Sequence, residues 1–122
     1  MEELLLAADA SRRAGRPAEA VPLLEQIITR HAADQRAPLA AFTLGKLQLE
    51  AGHAREAADA FGTARALAPN GPLAEDALGR ELEAAERAGD ATRERRVAKE
   101  YLERFPEGAR AAAARRALMP PP

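Results

Sequence analysis

Two histidines, His31 and His53, and one serine, Ser11, are the sole residues of their types among 122, and cysteine is absent. Two imidazoles without a thiolate cannot close a four-ligand zinc site, and these two stand too far apart in sequence for the His-x-x-x-His pairing on one helix face. Each falls near a helix end beside a turn, where imidazole meets free carbonyls or water. Ser11 lies at helical spacing among apolar residues, outside any Gly-x-Ser-x-Gly setting that would expose a nucleophile. The carboxylates are numerous but evenly spread, so no two stand out as an acid/base pair. The eight glycines are scattered over turns and tight crossings and form no phosphate cradle. The expectation is a protein with no catalytic residue, no metal and no cofactor, whose chemistry is that of a binding surface and not of an enzyme.

The elements that would shape such a surface follow a period. Ala14-Gly15, Ala51-Gly52 and Ala88-Gly89 recur at intervals of 37 residues, each between two stretches of helical composition, and Pro69 and Pro106 keep the same interval. A period of that size marks a helical repeat, in which each unit buries its apolar face on the next. Alanine is abundant and β-branched and aromatic residues are scarce, which predicts an all-α fold.

Seven helices are expected. Leu4, Ala7, Ala8 and Ser11 read as the buried stripe of the first, and Gly15 ends it. The second runs from about Pro17 to His31 on Ala20, Leu24, Ile27 and Ile28, with Pro22 expected to bend it. Pro38 opens a third bearing Ala41, Leu44, Gly45 and Gln48, and the fourth, Ala54 to Leu67, carries Ala57, Phe61 and Ala64. After the turn Pro69-Asn70-Gly71 a third pair opens at Pro72, buries Leu78, Leu82 and Ala85, turns at Gly89-Asp90 and returns through Val97, Ala98, Tyr101 and Leu102. Glu107 to Leu118 reads as a helix capping the stack. The organisation expected is one domain over 1–119, with units of about 1–34, 38–71 and 72–106, a cap at 107–119 and a tail at 120–122. Acid-before-base pairs four residues apart, Asp9–Arg13, Asp76–Arg80, Glu83–Arg87 and Glu100–Arg104, add ~0.2–0.5 kcal/mol each to helix faces.

Formal net charge is −1 with both signs interspersed, which leaves no electrostatic footprint for a nucleic-acid partner. Met1 to Ala8 places acids before a short apolar run and does not read as an export signal. No stretch approaches the ~20 apolar residues of a membrane span, so direct membrane insertion is not expected.

Ala41, Leu44-Gly45, Gly52, Ala57, Phe61, Ala64 and Pro69 resemble the tetratricopeptide repeat, a helix-turn-helix unit of about 34 residues. The flanking units match it less fully: Ile27 stands where the pattern prefers a small residue, Glu81 where it prefers an apolar one and Glu94 where it prefers a small one. The resemblance implies a right-handed α-solenoid of three such hairpins plus the capping helix. Three extra residues at each junction, in Arg36-Ala37-Pro38 and Pro72-Leu73-Ala74, are expected to lengthen the first helix of the next pair by about a turn. These long junctions resemble those of bacterial cell-envelope proteins with such repeats. That resemblance implies a periplasmic location if the segment belongs to an envelope protein, and a cytoplasmic one otherwise.

In the tetratricopeptide family partners dock on a concave face lined by the first helix of each pair. Carried over, this implies a protein- or peptide-binding surface of Leu5, Leu6, Asp9 and Arg12, then Phe42, Thr43, Lys46 and Leu49, then Asp76, Arg80 and Glu83. Phe42 and Leu49 would supply the apolar anchor, unless Phe42 packs between neighbouring first helices. Repeats that hold the acidic tail of heat-shock chaperones set basic and amide residues where this chain has Leu5, Asp9, Thr43 and Asp76, and Arg80 alone agrees, which disfavours that partner. The expected function is a non-catalytic scaffold for a peptide or protein segment. The alternative is homo-oligomerisation through the terminal helices.

Overall fold

The computed structural model describes residues 1–120, so Pro121 and Pro122 of the expected tail lie outside the described residues. Seven α-helices follow one another: α1 (Glu2–Arg13), α2 (Pro17–Arg30), α3 (Ala37–Glu50), α4 (Ala54–Leu67), α5 (Ala74–Arg87), α6 (Ala91–Arg104) and α7 (Ala111–Leu118). The starts of α2, α4 and α6 are 37 residues apart, and so are those of α3, α5 and α7. Each helix packs chiefly on its neighbours in the chain. The result is an all-α solenoid of three antiparallel hairpins, with α7 in the place that a first helix holds.

The hairpin turns are built alike for a stereochemical reason. Gly15, Gly52 and Gly89 adopt φ of 74°, 84° and 70°, the left-handed region where a Cβ would crowd the next carbonyl. That reversal lets Arg16, His53 and Asp90 donate their backbone N–H to the carbonyls of Ser11, Gln48 and Ala85 at 2.9, 2.8 and 3.0 Å. The glycine N–H groups bond back to Arg12, Leu49 and Glu86, completing a Schellman closure at each turn.

The junctions between hairpins repeat as well, and here the expectation needs correction. The extra residues do not lengthen the first helices: α3 and α5 have 14 residues, as do α2, α4 and α6. They form two consecutive tight turns, in which Asp34, Gly71 and Gly108 donate to the carbonyls of His31, Ala68 and Phe105, and Ala37, Ala74 and Ala111 then donate back to Asp34, Gly71 and Gly108. Pro38 accordingly sits within the first turn of α3, whereas Pro72 precedes α5. The last helix begins at Ala111 and not at Glu107, because Phe105 to Arg110 are used in the same double turn. In the first junction Arg36 donates through its backbone N–H and guanidinium to Asp34 at 2.8–3.1 Å, which holds the Asp34 carboxyl at about 2, well below its ordinary value. Pro22 lies on the exposed side of α2, which continues through it to Arg30.

Three apolar clusters run along the stack, each joining one hairpin to the next first helix, and the first also takes in Ala60 of α4. Where the two helices of a hairpin cross, the facing positions exchange volume. Gly45 faces Phe61 in the second hairpin, and at the equivalent places 37 residues away Ala8 shares the first cluster with Leu24 and Leu82 shares the third with Ala98. A Cβ on Gly45 would stand 2.6–2.8 Å from the Phe61 ring, which is wholly buried and meets Phe42 edge-on at 5.6 Å between centroids. In α1 only Ala8 is buried; Ala7 is exposed and Ser11 half-buried, since among the described residues no element covers that side.

This packing separates two glycine substitutions in neighbouring turns of the chain. Gly52→Ala meets nothing within 4 Å and is expected to cost ~1–2 kcal/mol of unfolding free energy from backbone strain alone. Gly45→Ala has an ordinary helical backbone but drives a methyl into the Phe61 ring, and should cost ~1–3 kcal/mol while shifting the aromatic NMR resonances of Phe61 and Phe42. Urea unfolding with one-dimensional NMR reads both; unchanged aromatic resonances in Gly45→Ala would contradict the contact.

Candidate interaction surface

Residues 37 apart occupy equivalent places on α1, α3 and α5, so the expected partner residues sort into rows along the stack. Leu5 aligns with Phe42, Leu6 with Thr43 and Arg80, Asp9 with Lys46 and Glu83, Arg12 with Leu49, and Asp76 with Leu39. Leu6 and Leu39 are the exposed large apolar side chains of this face, at 60% and 56%. Leu39 is not among the expected partner residues, although its place in the row of Asp76 marks it.

At the centre lies Phe42, only 5% exposed and seated on Phe61. Lys46 Nζ and the Arg80 guanidinium stand 5.5 and 5.3 Å from its ring centroid, one from its own helix and one from α5, within cation–π range. Phe42 thus forms the floor between two cations and is not itself a protruding anchor. Arg80 is also bound by Asp76 at 3.0 Å, while Lys46 makes no ion pair among the described residues. The structure brings Phe42, Lys46, Asp76 and Arg80 together, with Thr43 and Leu49 half-buried on the same helix as Phe42.

The remaining expected residues are engaged elsewhere. Asp9 pairs with Arg12 at 3.7 Å on α1, and Arg13 instead reaches the Asp9 backbone carbonyl at 3.4 Å. Leu5 packs against the first apolar cluster. Glu83 is held by Arg87 at 2.7 Å and by Arg110 at 3.1 Å. Arg110 reaches this place because the row of Leu5 and Phe42 continues as Gly79: a Cβ there would collide with the Arg110 side chain, which also donates to the Gly79 carbonyl at 3.4 Å. The backbone N–H of Arg110 donates to the buried Tyr101 hydroxyl at 2.9 Å, and that hydroxyl donates to Glu75 at 3.0 Å. Burial raises the Tyr101 hydroxyl above its ordinary range. The third unit therefore fills with its own arginine the place that Phe42 fills in the second.

The polar residues weighed for chemistry take local partners. Ser11 donates to the Ala7 carbonyl at 3.1 Å, His53 Nδ1 lies 2.9 Å from Gln48 Oε1 at the start of α4, and His31 ends α2. Among the described residues no three of His, Asp and Glu gather as a metal site, and no helix is long and apolar enough to cross a membrane.

A buried charge network lies at the junction between the second and third hairpins. Glu81 is 1% exposed; its Oε1 accepts from Arg65 at 3.2 and 3.3 Å, and its Oε2 lies 3.7 Å from Arg93. Arg65, 18% exposed, also reaches Glu100 at 3.4 Å, and Arg93 reaches Asp59 at 2.7 Å. Desolvation raises the Glu81 carboxyl above its ordinary value, opposed by the nearby Arg65, Arg93 and Arg96. One repeat earlier the places of Arg65 and Glu81 hold Ile28 and Leu44, and one repeat later Leu102 and Leu118, all within or against apolar clusters. Glu81 departs from the apolar pattern because Arg65 departs with it.

Residues 4–33, the first hairpin, match a family described as tetratricopeptide repeat. No curated protein matches the chain. The same hairpin geometry repeats at 37-residue intervals through α6, which together with that match supports a protein of the tetratricopeptide repeat family. Repeats of this family generally act as non-catalytic scaffolds for protein–protein interaction. The match falls on the first unit, whereas the residues that carry the resemblance most fully stand in the second.

The row equivalence predicts the energetics of the buried network. Arg65→Ile alone leaves Glu81 buried without its main partner and should cost about 3 kcal/mol. Arg65→Ile with Glu81→Leu restores the Ile28–Leu44 pairing of the preceding junction and should lie within about 1 kcal/mol of wild type or above it. Urea denaturation of the three proteins measures this; a double variant no more stable than Arg65→Ile would refute the equivalence.

Proposed function

We propose that this protein is a scaffold module that holds a peptide or protein segment along the face formed by α1, α3 and α5. The reading is carried by the arrangement around Phe42: an aromatic floor, the cations Lys46 and Arg80 above it and the exposed Leu39 beside it. Such a patch suits a segment with an apolar residue next to a carboxylate, the latter bound by Lys46 and by Arg80 in exchange with Asp76. Leu5, Leu6, Asp9 and Arg12 extend the face on α1, with Thr43 and Leu49 between, and Glu83 closes it with Arg110. The long junctions support a further assignment to a bacterial cell-envelope assembly or regulatory protein, which fractionation of the native cells into periplasm and cytoplasm tests.

A second reading is self-association. It is favoured by α7, which stands in the register of a first helix and exposes Arg115 and Arg116, while α1 exposes Glu2 and Glu3 at the other end of the stack. Affinity capture from native lysate with wild type and with Lys46→Glu/Arg80→Glu as baits separates the two. The scaffold reading expects proteins held by wild type and lost by the variant, with a concentration-independent mass of about 13.0 kDa by light scattering. The same proteins retained by both baits would move the site away from Phe42, and a mass that rises with concentration would favour self-association.

A further inference from the structure

The opposite side of the stack carries a cleft of about 270 Å³ between α2 and α4, with α3 beneath it. Its floor is apolar: Ile28, Leu44 and Ala60. Its mouth is acidic, with Glu25 on one wall and Glu56 and Asp59 on the other. Asp59 is met by Arg93 at 2.7 Å but remains 61% exposed, and Glu25 and Glu56 make no ion pair among the described residues. Gln48, itself 9% exposed, also lines the cleft, and its one hydrogen bond among the described residues joins Oε1 to His53, leaving the carboxamide nitrogen free for an acceptor.

One repeat further along, the equivalent cleft between α4 and α6 shows what such a place accommodates. There Ile28 and Leu44 become Arg65 and Glu81, Glu56 becomes Arg93, and Asp59 becomes Arg96. That cleft is furnished by the chain's own guanidinium groups, two of them on the carboxylate of Glu81. The first cleft has the carboxylates at its mouth and lacks an arginine of its own in the places of Arg65 and Arg93.

We propose that the α2–α4 cleft is a second binding site, distinct from the face around Phe42, and that it takes an arginine side chain from a basic segment of a partner protein. The aliphatic stem lies on Ile28, Leu44 and Ala60, as long cationic side chains cover apolar surface with their charge kept at the rim. The guanidinium lies between Glu25 and Glu56, whose planar carboxylates suit its forked donors. The Gln48 carboxamide donates to a backbone carbonyl of the same segment. Binding through such a rim weakens with salt, since these charges are exposed.

The probe is acetyl-arginine amide, titrated into the ¹⁵N-labelled protein at low salt, with acetyl-citrulline amide as the neutral isostere. Saturable shifts are expected at Thr29, Gln48, Ala60 and Thr63 with the arginine compound and not with citrulline. Glu25→Gln/Glu56→Gln, which alters only exposed side chains, should weaken binding about fivefold, and Glu56→Arg, which installs the residue of the next repeat, should abolish it. Lys46→Glu/Arg80→Glu should leave it unchanged, so failure of the Phe42 face and failure of this cleft are told apart. Equal shifts with citrulline, shifts centred elsewhere, no saturation, or undiminished binding in Glu25→Gln/Glu56→Gln would each overturn the proposal.

Discussion

The volume shared between the two helices of each hairpin is the constraint on which the architecture rests. Protein interiors are close-packed, so a large side chain on one helix requires a small one opposite it. This chain satisfies the requirement three different ways: Ala8 with Leu24, Gly45 with Phe61, and Leu82 with Ala98. Because the combined volume and not the identity is kept, the hairpins stay superimposable in register while their sequences drift. The same freedom lets Phe42 appear in one unit and Gly79, covered by Arg110, in the next.

Regular spacing then converts local packing into surfaces. Every residue has counterparts 37 positions away, so a substitution in one unit changes one place in a row and leaves its neighbours as references. On the first-helix side the row of Asp9, Lys46 and Glu83 alternates in sign, which concentrates positive charge at Lys46 and Arg80 around Phe42. On the second-helix side the change from Ile28 and Leu44 to Arg65 and Glu81 turns an open apolar cleft into an internally paired one. Both changes reach into the buried layer, at Phe42 and at Glu81, yet the helix register at 37-residue intervals is kept.

Much of the fold was legible because its determinants are short-range. The glycines at 15, 52 and 89 impose a left-handed turn that few other residues adopt, and their spacing marks the repeat, while the residues from Ala41 to Pro69 carry the family resemblance. The junctions are not legible in the same way: Pro72 looks like a helix start, whereas a double turn from Ala68 to Ala74 is fixed by backbone hydrogen bonds that composition does not reveal. Side-chain contacts across units were least visible. Phe42 has the composition of an exposed anchor, and only its distance to Phe61 makes it a floor. Glu81 broke the apolar pattern when read alone, and the compensating Arg65 lies 16 residues away on another helix. Aligning the units on their period, with Ile28 against Arg65 and Leu44 against Glu81, is the signal that would have exposed the pair.

The most direct measurement exchanges volume across the second crossing. Urea unfolding of Gly45→Leu, Phe61→Ala and the double variant, which carries the Leu–Ala arrangement of Leu82 and Ala98, gives the coupling between the two places. The account predicts a double variant less destabilised than the sum of the singles by more than about 1 kcal/mol. Additivity within about 0.5 kcal/mol would contradict it, because the two side chains would then not be sharing one space.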